Sequence, residues 1–188
     1  MDDCPELTEL NFHVEAPSHG VEHHVETSGP PIFSRARRLS PEKLKAARTQ
    51  FQKLISIGVL RPSKSNWASP LYCVPKADGS FRPCGDYHRL NSITTDDKYP
   101  IKTLQDFAAD LAGRTIFSKI DLVKGYHQIP MAPEDVAKTA LITPFGLFEF
   151  VRMPFGMKNS AQTFQRLMDS ALRDVPHAFV YMDDILVA

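Results

Sequence analysis

Apolar residues recur at helical spacing after Ser40: Leu44, Ala47, Phe51, Leu54 and Ile55 fall on one face, and Gly58 follows. Ser40 is a candidate N-cap, Pro41 suits a first turn and Glu42 is an early acid. The pattern predicts one amphipathic helix with a basic outer face. Two short runs, 71–75 and 81–85, are then joined by Lys76-Ala77-Asp78-Gly79-Ser80, and Asp-Gly between such runs predicts a β-hairpin that carries a lysine. A second helix is expected over 104–112, with Thr103 as cap, Leu104, Phe107, Ala108 and Leu111 facing inward, and Gly113 ending it.

Residues 115–121 alternate as a strand, so Asp121 shares a face with Phe117 and Lys119 and stands at the strand's end. A second hairpin, with strands over 139–143 and 147–152, is expected around Pro144-Phe145-Gly146. Asn159 can cap a helix whose inward positions are Phe164, Leu167, Met168, Ala171 and Leu172. The last eleven residues, 178–188, read as two strands around Asp183-Asp184, a tight hairpin whose tip displays both carboxylates. Helices alternating with antiparallel hairpins predict an α+β sandwich, with a sheet on one side and helices on the other. Residues 1–32 lack sustained periodicity and end in Ser28-Gly29-Pro30-Pro31, so they read as an acidic, extended or disordered lead-in.

Composition adds a division of charge. The 22 Lys and Arg balance 22 Asp and Glu, but seven of the acids and none of the bases lie in 1–34. The remainder is basic, and between Arg35 and Lys64 nine bases face one acid, Glu42. That stretch is either a solvated helix face or a field that attracts a polyanion. Three cysteines, Cys4, Cys73 and Cys84, are too few and too irregular for a disulfide framework, which suits a reducing compartment. No apolar run approaches the ~18 residues of a membrane helix, so no membrane partner is expected. His19, His23 and His24 have spacing that could grip a metal, but a polar tail is the better reading.

Asp183 and Asp184 admit two readings. Acidic pairs are common solvated turn formers, yet Tyr181, Met182, Ile185, Leu186 and Val187 around this pair suit a site built on packed strands. Two carboxylates about 4 Å apart repel by ~4 kcal/mol at an effective dielectric of ~20, and a divalent cation between them relieves this. Magnesium suits aspartate oxygens. Asp121, also ending a β-branched strand, is either the third ligand or a capping aspartate. Three such carboxylates in a basic domain meet the needs of two-metal phosphoryl transfer.

Ile120-Asp121-Leu122 with Gly125-Tyr126-His127-Gln128-Ile129, then Pro144-Phe145-Gly146, then Met153 through Asn159, and finally Tyr181-Met182-Asp183-Asp184, resemble the successive motifs of a reverse transcriptase. Arg61-Pro62-Ser63, Trp67-Ala68-Ser69-Pro70 and Lys76 through Asn91 resemble the gypsy-type LTR-retrotransposon branch, and the likeness covers about 31–188. The resemblance implies polymerase fingers over 40–105 and 139–158, and a partial palm over 106–138 and 159–188, so that 33–188 form one unit after the lead-in. It implies an RNA-directed DNA polymerase with two Mg2+ ions held by Asp121, Asp183 and Asp184. It also implies deoxynucleoside triphosphates and an RNA or DNA template with primer as partners, and a polyprotein with ribonuclease H and integrase regions downstream. Lys76 and Arg82 match the fingers hairpin over the triphosphate, where Arg can bind bidentately. Tyr126 matches the ring under the nucleotide sugar, or else is a core tyrosine. Phe155 and Gly156 match the nucleotide-pocket loop, although Phe155 equally suits a hydrophobic plug.

His88 stands where many members carry Arg, which puts the local template contact in doubt. The chain stops at Ala188, four residues after Asp184, so the expectation is a fragment without a thumb and inactive alone. A non-catalytic nucleic-acid-binding relic is the alternative, and a nucleotidyl cyclase on a similar palm is a third reading.

Overall fold

The computed structural model describes residues 19–101, 103–122, 124–181 and 184–188. Helix α1, Pro41–Ser56, buries Ala47, Phe51 and Leu54 on the face the spacing predicts. Gly58 ends it in the left-handed region at φ 73°, donating to the Ile55 carbonyl, while Val59 donates to Leu54. Ser40 occupies the N-cap position without a side-chain capping bond, and its carbonyl accepts from the Leu44 N–H. Phe51 meets Phe145 and Phe148 edge-on, which packs α1 against the larger sheet.

That sheet contains β1 (Leu60–Pro62), β2 (Ser69–Pro75), β3 (Phe81–Gly85), β5 (Leu141–Thr143) and β6 (Gly146–Phe150), in the order β1-β6-β5-β2-β3. Both expected hairpins form, β2–β3 and β5–β6. The sheet is nevertheless mixed, because β2 pairs in parallel with β5 through Ser69↔Leu141 and Pro70↔Ile142. Antiparallel hairpins alone did not disclose this pairing, which joins segments some seventy residues apart. A second, three-stranded antiparallel sheet has the order β4-β8-β7, from β4 (Ser118–Asp121), β7 (Ala178–Tyr181) and β8 (Asp184–Val187). Only the last four residues of the expected 115–121 strand pair. The architecture is α+β.

Helix α2, His88–Ile93, follows the first hairpin. Helix α3, Leu104–Asp110, starts with a reciprocal cap in which Asp106 N–H donates to Thr103 Oγ1 and Thr103 N–H to an Asp106 carboxylate oxygen. Ala108 is exposed, not inward as expected, and the side chains of Leu104 and Phe107 lie outside the described residues. Helix α4, Ser160–Ala171, buries Phe164, Leu167 and Met168, whereas Ala171 is exposed. Asn159 precedes it in the left-handed region at φ 68° and makes no capping bond. Its amide instead bridges two loop groups, accepting from Asp97 N–H and donating to the Thr95 carbonyl, which ties the 95–97 segment to α4.

The lead-in does not stay apart. Residues 21–28 run extended across the body, with His23 and Val25 buried. His23 exchanges backbone bonds with Pro130 and Ala132, Val25 N–H donates to Asp135, and Thr95 N–H donates to the Glu26 carbonyl. An apolar Val and a neutral imidazole make this packing favourable despite the acids around them. Residues 1–18 of the expected lead-in lie outside the described residues. The core joins α1, the larger sheet and α4 through Leu71, Tyr87, Leu90, Ile129, Leu141, Met153 and Phe164. Among the described residues no helix is long and apolar enough to cross a membrane.

Candidate active site

Strands β4 and β8 pair antiparallel in the register Lys119↔Leu186, Ile120↔Ile185 and Asp121↔Asp184. Because side chains alternate along a strand, Lys119, Asp121 and Asp184 share one face and Ile185, buried, takes the other. The Lys119 ammonium sits 2.9 Å from Asp184 Oδ1. That hydrogen bond and the charge of Asp184, with Asp121 adding a little, push the lysine's pKa up. Two aspartates directly opposite each other are a repulsive cross-strand pair, and here a cation already attends one of them. The oxygen donors and their shared face, with Asp121 exposed and Asp184 partly so, fit a hard divalent cation. Asp183 and Met182 lie outside the described residues.

The β2–β3 hairpin turns through Lys76–Ser80. Lys76 N–H donates to the Ser80 carbonyl, Gly79 adopts φ 78°, and Asp78 accepts from both the amide and the hydroxyl of Ser80. Those bonds lower the Asp78 pKa. Lys76 is exposed at the turn, and Arg82, paired with Val74, is exposed further along β3.

Arg82, Phe155 and Gly156 line a cavity of about 380 Å³ together with Tyr72, Cys84, Lys124 and His127. Thus three of the residues expected at a nucleotide site share one wall, while Lys76 and Tyr126 are not among its lining. Tyr126 is half-buried and stacks on Phe155 with centroids 4.8 Å apart, and Phe164 lies tilted against it at 5.1 Å. Phe155 is 52% exposed, so it is a lid on this aromatic group, not a core plug. Gly156, at φ 88°, accepts from the Asn91 amide through its carbonyl. A second cleft, about 550 Å³, lies between residues 20–26, 95–98 and α4, and none of the expected site residues is among its described lining.

Lys124 and His127 escaped the sequence reading as cavity residues. Their signal was position: both lie in the short turn after Asp121, between motif residues. His127 is buried, and burial pushes its pKa down to about 4 against a bond to the Met153 carbonyl. The N-terminal histidines take separate partners. His23 Nδ1 pairs with Thr163 Oγ1 at 2.8 Å, while His24 faces Glu134 and Asp135, the latter already held by Val25 N–H and the Lys138 ammonium. His88 is solvent-exposed and bonds Asp86, which Arg37 also reaches.

Residues 74–188 match the family model described as reverse transcriptase (RNA-dependent DNA polymerase). The retrovirus-related Pol polyprotein from transposon 297 of Drosophila melanogaster is 39% identical over 168 residues, 86% of this chain and 16% of the polyprotein. The corresponding polyprotein from transposon gypsy of the same organism is 33% identical, over 84% of this chain and 16% of its own length. The native prototype foamy virus protease-reverse transcriptase crystal structure is 26% identical with a TM-score of 0.79, covering 86% of this chain and 22% of that one. The foamy viral enzyme in complex with RNA/DNA hybrid, 23% identical over 91% of this chain and 24% of that one, shares the fold with a TM-score of 0.82. The chain therefore spans 16% of the length of these curated relatives.

Proposed function

The chain belongs to the reverse transcriptase (RNA-dependent DNA polymerase) family, and from that premise we propose that it supplies nucleotide-binding fingers and the carboxylate-bearing part of a palm for RNA-directed DNA synthesis. The supporting observation is the β4–β8 register, which sets Asp121 opposite Asp184 on one face. With Asp183 these residues would hold two magnesium ions, which when bound activate a primer 3′-hydroxyl and steady the triphosphate. Lys119 holds the Asp184 carboxylate in an ion pair and must swing aside for an ion to take that oxygen. Lys76 and Arg82 bind the phosphates of an incoming deoxynucleoside triphosphate. Tyr126, braced by Phe155, packs under its sugar and excludes a 2′-hydroxyl, and Gly156 gives the pocket loop its left-handed turn.

In this reading residues 33–188 are fingers and partial palm, onto which the 19–32 segment packs. The template is RNA or DNA carrying a primer. The foamy viral relative was solved with RNA/DNA hybrid, which supports a hybrid duplex as the bound form. We assign the complete reaction to a longer polypeptide that joins this segment to the rest of a palm and a thumb, as part of a retroelement polyprotein. The 188 residues alone do not extend a primer. The test is primer extension on a primed RNA template by such a polypeptide. Asp121→Asn abolishes deoxynucleotide incorporation, whereas incorporation at the unmodified rate would overturn the reading.

One observation favours a second reading. The Lys119–Asp184 ion pair satisfies a carboxylate without any metal, as a non-catalytic nucleic-acid-binding module would allow. Such a module binds duplex through the 35–64 bases in a salt-sensitive way and incorporates nothing, even with the palm and thumb supplied.

A further inference from the structure

The cavity beside β3 has an unbalanced charge. Arg82 and Lys124 are in its wall, and none of its described lining residues is an acid. The Lys124 ammonium is shielded from solvent and has no hydrogen-bond partner among the described residues. The nearby charge that acts on it is a third cation, Lys53, which together with the dominant effect of burial lowers its pKa. A buried ammonium without an acceptor is unfavourable, and an anion brought to it removes the penalty.

The backbone adds to this. Lys124 sits in the left-handed region, φ 51° and ψ 45°, a conformation unfavourable for a residue with a β-carbon. A turn closed by His127 N–H on the Lys124 carbonyl, 2.9 Å, holds it there, three residues after Asp121. The left-handed turn is thus maintained with a lysine where glycine would be relaxed, and it directs the side chain into the cavity wall.

We propose that Lys124 is a polyphosphate-binding residue, its ammonium and the Arg82 guanidinium taking the phosphate chain of an incoming nucleoside triphosphate from two elements of the cavity. This rests on the nucleotide-binding reading above and extends it to a residue outside the fingers hairpin. Two cations without a counter-charge among the described lining residues match a ligand that carries several negative charges on one flexible chain. The planar fork of Arg82 suits phosphate oxygens, and Lys124 supplies a point charge. Gly156, without a side chain, leaves its part of the wall open to such a chain. Inorganic polyphosphate shares this chemistry, so the test carries both ligands.

The 188-residue chain is titrated in EDTA with sodium tripolyphosphate and, separately, with dTTP, followed by calorimetry and thermal unfolding. Lys124→Met is expected to weaken both ligands at least tenfold while raising the unliganded melting temperature by about 2 to 4 °C, because an unpaired ammonium is removed. Lys124→Arg keeps a charge and restores binding to within a few-fold, so a folding defect in the Met variant does not decide the matter. Lys98→Met, at an exposed lysine elsewhere, leaves both titrations unchanged. Binding of dTTP but not tripolyphosphate, with Lys124 dispensable, would overturn the proposal. So would wild-type affinity for both ligands in Lys124→Met, or no binding of either by the unmodified chain. Failure of the polymerase reading shows differently, as incorporation that does not need Asp121, and leaves tripolyphosphate binding at Lys124 intact.

Discussion

Acidification between pH 7.5 and 5 should destabilise this chain through two imidazoles. Burial pushes the His23 and His127 pKa values from 6.5 down to about 4. At His23 the charge of Asp135 opposes that shift, and at His127 the Met153 carbonyl does. The folded state therefore binds fewer protons than the unfolded one throughout the window from 6.5 to 4, and stability falls as pH falls through it. The loss per histidine from pH 7.5 to 5 is about 2 kcal/mol, so the pair contributes about 4 kcal/mol. Each ring uses Nδ1, His23 toward Thr163 Oγ1 and His127 toward the Met153 carbonyl, and an asparagine amide nitrogen reaches a similar position. Urea unfolding of His23→Asn and His127→Asn at both pH values is the assay. Each variant loses some absolute stability, but each should remove about half of the pH-dependent loss, and the double variant nearly all of it. A double variant as acid-sensitive as the parent would refute the argument and shift the effect to carboxylates.

Other substitutions probe the frame. A β-carbon at Gly85 would lie 2.6 Å from Tyr87 Cε2 and 2.7 Å from Leu141 Cδ2. Tyr87 cannot yield, because its ring is buried and its hydroxyl donates to the Thr139 carbonyl. Gly85→Ala should cost about 1 to 3 kcal/mol in chemical denaturation. Asn159→Ala loses two amide bonds and keeps an unfavourable left-handed backbone, whereas Asn159→Gly relieves the backbone, so Gly should unfold at the higher temperature of the two. Asp135→Ala removes the acceptor of the Val25 amide and leaves the Lys138 ammonium with the Val25 carbonyl but no counter-charge there, a loss of about 3 kcal/mol that should show as faster proteolysis within 19–32. Duplex binding through the 35–64 bases should fall steeply with salt, and Arg35→Gln with Arg38→Gln should flatten that dependence in fluorescence anisotropy.

Local signals in the sequence were easy to read, and distant ones were not. Asp-Gly in the first hairpin, the spacing of α1 and the Thr103 cap depend on neighbours within a few residues, and each appears where its chemistry puts it. Alternation along β4 correctly put Asp121 on one face with Lys119. The parallel β2–β5 pair, the burial of His23 under α4 and the diversion of Asn159 from capping depend on partners sixty or more residues away. No local pattern reports them. Lys124 was hidden for another reason: a lysine in a turn looks solvated until the packing of α1 and β3 around it is known.

The central claim is that Asp121 and Asp184, brought opposite by β4 and β8, belong to one divalent-cation site. Manganese binding to the chain, followed by electron paramagnetic resonance, tests it most directly. Asp121→Asn and Asp184→Asn should each weaken Mn2+ at least tenfold, while Glu134→Gln leaves it unchanged. Equal affinity in the parent and in Asp121→Asn would contradict the account.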